Sequence, residues 1–186
     1  MVEKLLYWFD RIPGLRSICL RYFNAAGADA EGRTGAMPEP ETHGIPLLLR
    51  AIRTGEPVTL CGEDYPTDDG TCIRDYIHVT DLADAHIRAV EALAAGSPSR
   101  RFNAGTGRGF SVREVLKAVE EVTGKPVPHR IGPRRDGDPA ALVADSGLLQ
   151  REMGWTPRYS DLTTIVETGW RWELRGERVS ASVLAV

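Results

Sequence analysis

Short β-rich runs alternate with helix-like segments along this chain, and that alternation limits its fold more than any other feature. Arg16–Phe23 (RSICLRYF), Val58–Gly62, Asp75–Val79, Arg101–Ala104, Val127–Ile131 and Leu142–Ala144 read as strands. Between them lie helix signals. Pro46 suits the first turn of a helix running to Gly55. Thr80 and Asp81 open DLADAHIRAVEALAAG, with an acid at the positive end of the helix dipole. Ser111 and Glu114 form a capping box, with Phe110 and Val115 placed as a hydrophobic staple, for a helix that ends near Thr123-Gly124. Further helices are expected at 145–153 and 161–175. Such alternation predicts an α/β fold with at least some parallel pairing. Residues 1–12 (MVEKLLYWFDRI) read as an amphipathic helix with no Ser, Thr, Asp or Asn to cap it, followed by a Pro13-Gly14 turn. The segment Ala25–His43 reads as a long loop rich in Gly and Pro, a length that in compact domains often carries function.

Charge narrows the partners. The 186 residues carry 23 Lys+Arg against 26 Asp+Glu, a net of −3, which offers no broad attraction to nucleic acid or an anionic membrane. Cys19, Cys61 and Cys72 contain no C-x-x-C pair and leave an odd number, which fits a reducing compartment, so the cytoplasm is expected. His43, His78, His86 and His129 are scattered without ligand spacing, and no metal site is expected. No apolar run reaches the roughly 20 residues of a membrane span.

Four segments could carry chemistry. Gly105-Thr-Gly107-Arg-Gly109 lies between a strand and a capped helix, where backbone N–H groups can face a phosphate. Its spacing differs from the dinucleotide pattern, so a tight strand-to-helix connection is the favoured account. Arg74 stands where a turn-rich segment meets an extended one. It could grip a phosphate through its planar fork, or form a local ion pair with Asp75 or Asp81. Arg134-Arg135-Asp-Gly-Asp138-Pro139 places guanidiniums and carboxylates on one loop; Arg135 suits a diphosphate and Asp138 suits sugar hydroxyls, with a solvated salt-bridged loop as the alternative. Asn24, at the carboxyl end of the first strand, falls where ligands of open α/β sheets lie. Residue spacing alone leads to a soluble α/β domain with two arginine-bearing loops suited to a phosphorylated ligand.

The runs RYFNAAGAD, DYPTDDGTCIRDYIHVTDLADAH, FNAGTGRGFSVREV and PRRDGDPA resemble the UDP-glucose 4-epimerase family, of the extended short-chain dehydrogenase/reductase class. The likeness runs in order from Met1 to about residue 175 and is most specific from Asp64 to Ala83. It implies interconversion of UDP-galactose and UDP-glucose, with NAD taking a hydride from sugar C4 and returning it to the opposite face. It implies a fold class too: the C-terminal portion of an extended Rossmann-type enzyme, comprising the last strands and helices of the parallel sheet plus a small substrate-binding α/β subdomain. Residues 1–24 and about 80–110 then belong to the sheet layer, about 25–79 and 111–175 to the substrate subdomain, and 176–186 to a tail, with the NAD-binding domain absent.

Carried over residue by residue, the resemblance implies that Phe23 lies beside the nicotinamide and that Asn24 holds the substrate diphosphate. His43 and Gly44 fall at uridine-side contacts, and Thr59, Leu60 and Cys61 on the strand lining the uracil. Arg74, Arg135 and Asp138 match diphosphate and ribose contacts. Two positions depart from the family. Cys61 stands where an aromatic ring is usual, and Gly44 where a larger apolar residue is common. The family's Tyr-x-x-x-Lys pair and its Ser or Thr would precede Met1, so no catalytic residue is expected in this chain, which is expected to be inactive by itself. Full-length relatives are expected to be homodimers. A non-catalytic UDP-sugar-binding or partner-docking fragment, or a related nucleotide-sugar dehydratase or epimerase, is the alternative.

Overall fold

A computed structural model describes residues 1–12, 14–36 and 40–183, with side chains as far as 175. Pro13, Pro38 and the end of the expected tail, 184–186, lie outside the described residues. The chain opens with α1 (Val2–Arg11), β1 (Ile18–Tyr22), β2 (Asn24–Ala26) and α2 (Gly44–Thr54). β3 (Val58–Cys61), β4 (Ile73–His78), α3 (Val79–Ala94) and β5 (Arg100–Ala104) follow. Then come β6 (Gly109–Ser111), α4 (Val112–Thr123), β7 (His129–Gly132), β8 (Ala141–Leu142), α5 (Gly147–Met153) and α6 (Leu162–Val183).

The helix ends follow local chemistry. α4 has the expected capping box: Glu114 N–H donates to Ser111 Oγ at 3.1 Å, and Ser111 N–H donates to Glu114 Oε2 at 2.7 Å. α1 has no side-chain cap and buries none of its residues. α3 differs from expectation. It begins at Val79, and its cap is the His78 imidazole, whose Nδ1 accepts from Thr80 N–H at 3.1 Å. α6 runs past the expected boundary at 175, to Val183.

Strand pairing divides the chain among more than one sheet. Described strands fall into three sheets: β1 with β5, β3 with β7, and a group around β4. β4 pairs parallel with β2 through residues 76–78, and through 73–75 it meets β6 antiparallel and β8 parallel. The cause lies at Phe23. A strand expected to run through 16–23 breaks there, so β1 stays with β5 while Asn24 opens β2 alongside Tyr76 of β4. One strand thus serves two layers. Successive side chains of β4 face opposite ways, so Tyr76 enters a core with Leu48, Val115 and Ile165, while Ile77 enters another with Phe102, Leu149 and Trp155.

Candidate functional site

A cavity of about 230 Å³ opens between the start of α2, β3, β4 and the loop after β7. Its walls include Asn24, His43, Gly44, Thr59, Leu60, Cys61, Arg74, Arg135 and Asp138, so every substrate-side residue expected from sequence meets in one place. Phe23 is separate: it is exposed in the bend between β1 and β2 and is not part of that wall.

Arg74, on β4, is nearly buried. Its Nη2 donates to Asp138 Oδ1 at 2.5 Å and its Nη1 to the Ile73 carbonyl at 2.6 Å. Its ion pair is therefore with Asp138 rather than Asp75 or Asp81, joining two residues 64 positions apart. Arg135 has no ion-pair partner among the described residues and stands exposed at the rim. Its neighbour Arg134 is committed elsewhere: Nε donates to Asp64 Oδ1 at 2.6 Å, and the guanidinium carbon lies 4.3 Å from the centre of the Tyr65 ring. Asn24 Nδ2 donates to the Asp75 carbonyl at 2.9 Å, which fixes the amide at the cavity wall. His43 is held through its Nδ1, 2.9 Å from Glu41 Oε1. Thr59 accepts from Arg130 Nε at 2.9 Å, and Leu60 is buried beneath it. Tyr76 also lines the cavity, and burial pushes its hydroxyl up to about 12, so it stays protonated.

Several residues that hold this site were not among the site residues expected from sequence. Asp75 is buried, and its carboxylate accepts four hydrogen bonds: Thr106 N–H at 3.0 Å, Thr106 Oγ1 at 2.7 Å, Gly107 N–H at 3.2 Å and Ala144 N–H at 3.1 Å. The glycine-rich turn thus wraps an internal carboxylate and connects strand to helix, as its spacing suggested. Its Gly105 is forced by that closeness, because a Cβ there would lie 2.5 Å from Ala144 Cβ and 2.6 Å from Asp75 Oδ2. Asp69 accepts from Thr71 N–H at 2.8 Å, Thr71 Oγ1 at 2.7 Å and the Ser111 hydroxyl. Burial opposes its ionisation, but the Ser111 and Thr71 bonds outweigh that and hold its pKa low. Asp81, read as a dipole partner, is buried and accepts from Arg158 N–H, Tyr159 N–H and Ser160 Oγ, pinning the segment before α6 to α3. A cluster of acids beside Gly and Thr was the available signal for Asp69 and Asp75. Nothing local marked these roles of Tyr65 and Asp81, whose partners lie more than 70 residues away.

Known proteins resemble this chain in sequence and in fold. The family model described as Epimerase, the NAD dependent epimerase/dehydratase family, matches residues 1–105. The chain belongs to the NAD dependent epimerase/dehydratase family. Among curated relatives, UDP-glucose 4-epimerase of Halalkalibacterium halodurans is 51% identical over 172 residues, covering 92% of this chain and 52% of that protein. The crystal structure of UDP-glucose 4-epimerase from Brucella ovis in complex with NAD superposes with a TM-score of 0.88 at 46% identity, covering 91% of this chain and 52% of that one. The enzyme from Stenotrophomonas maltophila, with bound NAD and formylated UDP-arabinopyranose, gives 0.91 at 41% identity, covering 96% and 54%. The chain spans about half the length of these epimerase relatives.

The match also corrects the expected fold class. What is supported is a partial chain of the NAD dependent epimerase/dehydratase family, with the family model on residues 1–105, the stretch that holds the parallel β1–β5 pair. This replaces the expectation of a C-terminal portion made from the last strands of one parallel sheet plus a substrate subdomain. The family is NAD dependent, and the relative from Brucella ovis holds NAD. In this chain the N–H groups of Thr106 and Gly107 are taken by Asp75, and Phe23 is exposed at its bend. Among the described residues there is no cluster able to hold a metal ion, and no helix is long and apolar enough to cross a membrane.

Proposed function

We propose that this chain supplies the nucleotide-sugar site of a UDP-glucose 4-epimerase, an isomerase that interconverts UDP-galactose and UDP-glucose by NAD-mediated oxidation and reduction at sugar C4. The observation that carries this reading is the convergence of Arg74, Arg135, Asn24 and Asp138 on one cavity wall. Two guanidiniums and an amide suit a diphosphate, and a carboxylate beside them suits ribose hydroxyls. Thr59, Leu60 and Cys61 on β3, with His43 and Gly44 at the start of α2, line the same cavity and are the residues assigned to the base. The relatives' names and the UDP-sugar in one of their structures support the same ligand class.

The chemistry assigned to these residues is binding and orientation. Arg74 and Arg135 neutralise the diphosphate and hold the sugar end in register, while the buried wall of Leu60 and Tyr76 excludes water from the base. The 186-residue chain alone is expected to bind UDP without turning over UDP-galactose. Calorimetry with UDP and a product assay with added NAD test both halves of this statement. Absence of UDP binding would overturn the site, and appearance of UDP-glucose would overturn the inactivity. A homodimer is the proposed assembly of the full-length enzyme, supported by the uncovered Leu5, Trp8, Phe9 and Ile12 of α1.

A further inference from the structure

Asp138 sits on an exposed loop, yet both of its carboxylate oxygens have partners before any ligand arrives. Arg74 Nη2 donates to Oδ1 at 2.5 Å, and the Tyr65 hydroxyl donates to Oδ2 at 3.1 Å. Arg74 comes from β4, whereas Tyr65 comes from the turn after β3, so the carboxylate is clamped from two elements.

The surroundings of Tyr65 are built for that contact. Its ring is 4% exposed although it follows a strand end, and its N–H donates to the Gly70 carbonyl at 2.8 Å, closing the turn. Gly62 leaves room for it: a Cβ there would lie 2.7 Å from Tyr65 Cε2 and 2.6 Å from Arg134 Cγ. Arg134, from the same loop as Asp138, lies over the ring, its guanidinium carbon 4.3 Å from the centre. Tyr65 therefore grips the loop at two points, through its ring at Arg134 and through its hydroxyl at Asp138. Burial, then the hydrogen bond to Asp138, raises the tyrosine pKa, so the hydroxyl remains a donor.

We propose that Tyr65 is a positioning residue for nucleotide recognition: it orients the Asp138 carboxylate so that its remaining lone pairs accept the ribose hydroxyls of a nucleoside diphosphate. An ionised carboxylate has about four acceptor sites on two oxygens. Arg74 and Tyr65 each take one, which fixes the plane of the group and leaves one site on each oxygen for the cavity. The inference rests on the nucleotide-sugar reading of this cavity. It adds a residue outside the cavity wall that acts through Asp138.

The test compares UDP with 2′,3′-dideoxy-UDP, which lacks the hydroxyls assigned to Asp138, by calorimetry on the full 186-residue chain. Tyr65→Phe keeps the ring and its contact with Arg134 and removes only the donor. We expect it to weaken UDP binding by roughly fivefold, the scale of one net hydrogen bond, and to leave dideoxy-UDP within about twofold, a change smaller than such a bond makes. In an Asp138→Asn background the same substitution is expected to change neither ligand. Equal weakening of both ligands, or a fall in Tm with no change in the preference for UDP, would mean that Tyr65 merely supports the loop and would overturn the proposal. Unchanged UDP binding by Tyr65→Phe would overturn it as well, while leaving the nucleotide-sugar site intact. A wild-type chain that binds neither ligand would overturn the nucleotide-sugar reading and this inference with it.

Discussion

The guanidinium of Arg74 and the carboxylate of Asp138 lie 2.5 Å apart in the wall of the cavity, both largely shielded from water. Each was singled out separately by sequence as a ligand contact, and in the folded chain they are each other's partner. The pair sets the geometry with which a diphosphate and a ribose would be met.

Arg74→Ala is expected to weaken UDP binding by about 2–3 kcal/mol, the scale for losing a hydrogen-bonded charge and leaving its partner exposed to the cavity. Arg74→Lys should recover little of this. A single ammonium does not reproduce a planar fork that reaches Asp138 and the Ile73 carbonyl together. Calorimetric titration of the two variants against the wild-type chain checks the order; equal affinity in the Arg74→Lys and wild-type chains would contradict it.

Asp75→Ala should destabilise the fold by about 3 kcal/mol or more, because it strands buried donors from the glycine-rich turn and from Ala144. Asp75→Asn should fall in between, since an amide offers one acceptor oxygen and turns its NH₂ toward the remaining donors. Urea unfolding of both variants gives the comparison, and a loss under about 1 kcal/mol for alanine, the level of one ordinary hydrogen bond, would contradict it.

His78 makes stability depend on pH. It is 1% exposed, and burial lowers its pKa below the ordinary value despite Asp81 and Asp161 nearby. An unfolded-chain histidine begins to protonate near pH 6.5 while the folded one stays neutral. Below that pH the unfolded state binds more protons, so stability falls as pH drops from about 7 toward the lowered folded pKa, by at most about 1.4 kcal/mol per pH unit for this group. Urea midpoints at pH 7.5 and 5.5 should show the drop. His78→Asn, which can still cap α3, should flatten it in the same measurements.

Cys61→Phe places a ring in the wall of the cavity, where relatives in the resemblance carry an aromatic residue. If a uracil stacks there, UDP affinity should rise by about 1 kcal/mol, the gain of a modest aromatic contact. Unchanged or weaker binding of UDP by a variant with wild-type Tm would place the base elsewhere.

Local sequence was informative wherever the deciding partners are close along the chain. The Ser111–Glu114 capping box, the left-handed Gly55 and Gly124 that end α2 and α4, and the uncapped α1 were all legible because their partners lie within a few residues. The site residues were legible for another reason. Motif order put Asn24, Arg74, Arg135 and Asp138 forward as ligand contacts, and the fold brings all four to one cavity, although spacing alone left Arg74 between a phosphate and a neighbouring carboxylate. The first strand is expected to end at Phe23, as it does to within a residue, but β2 reads in sequence as part of a loop, since its strand partner, β4, lies in a different sheet from β5, the partner of β1.

Sequence by itself determined the alternation of strands and helices, the absence of a broad basic surface, and which side chains could meet a phosphorylated ligand. Tertiary structure alone decided that Arg74 pairs with Asp138, that the glycine-rich turn closes on Asp75, and that His78 rather than Thr80 caps α3. The physical reason is range. Caps and turns are fixed by hydrogen bonds a few residues apart, whereas a buried charge takes whatever donors the packed layers bring to it. For Asp75, Asp81 and Asp138 those donors arrive from more than 30 residues away.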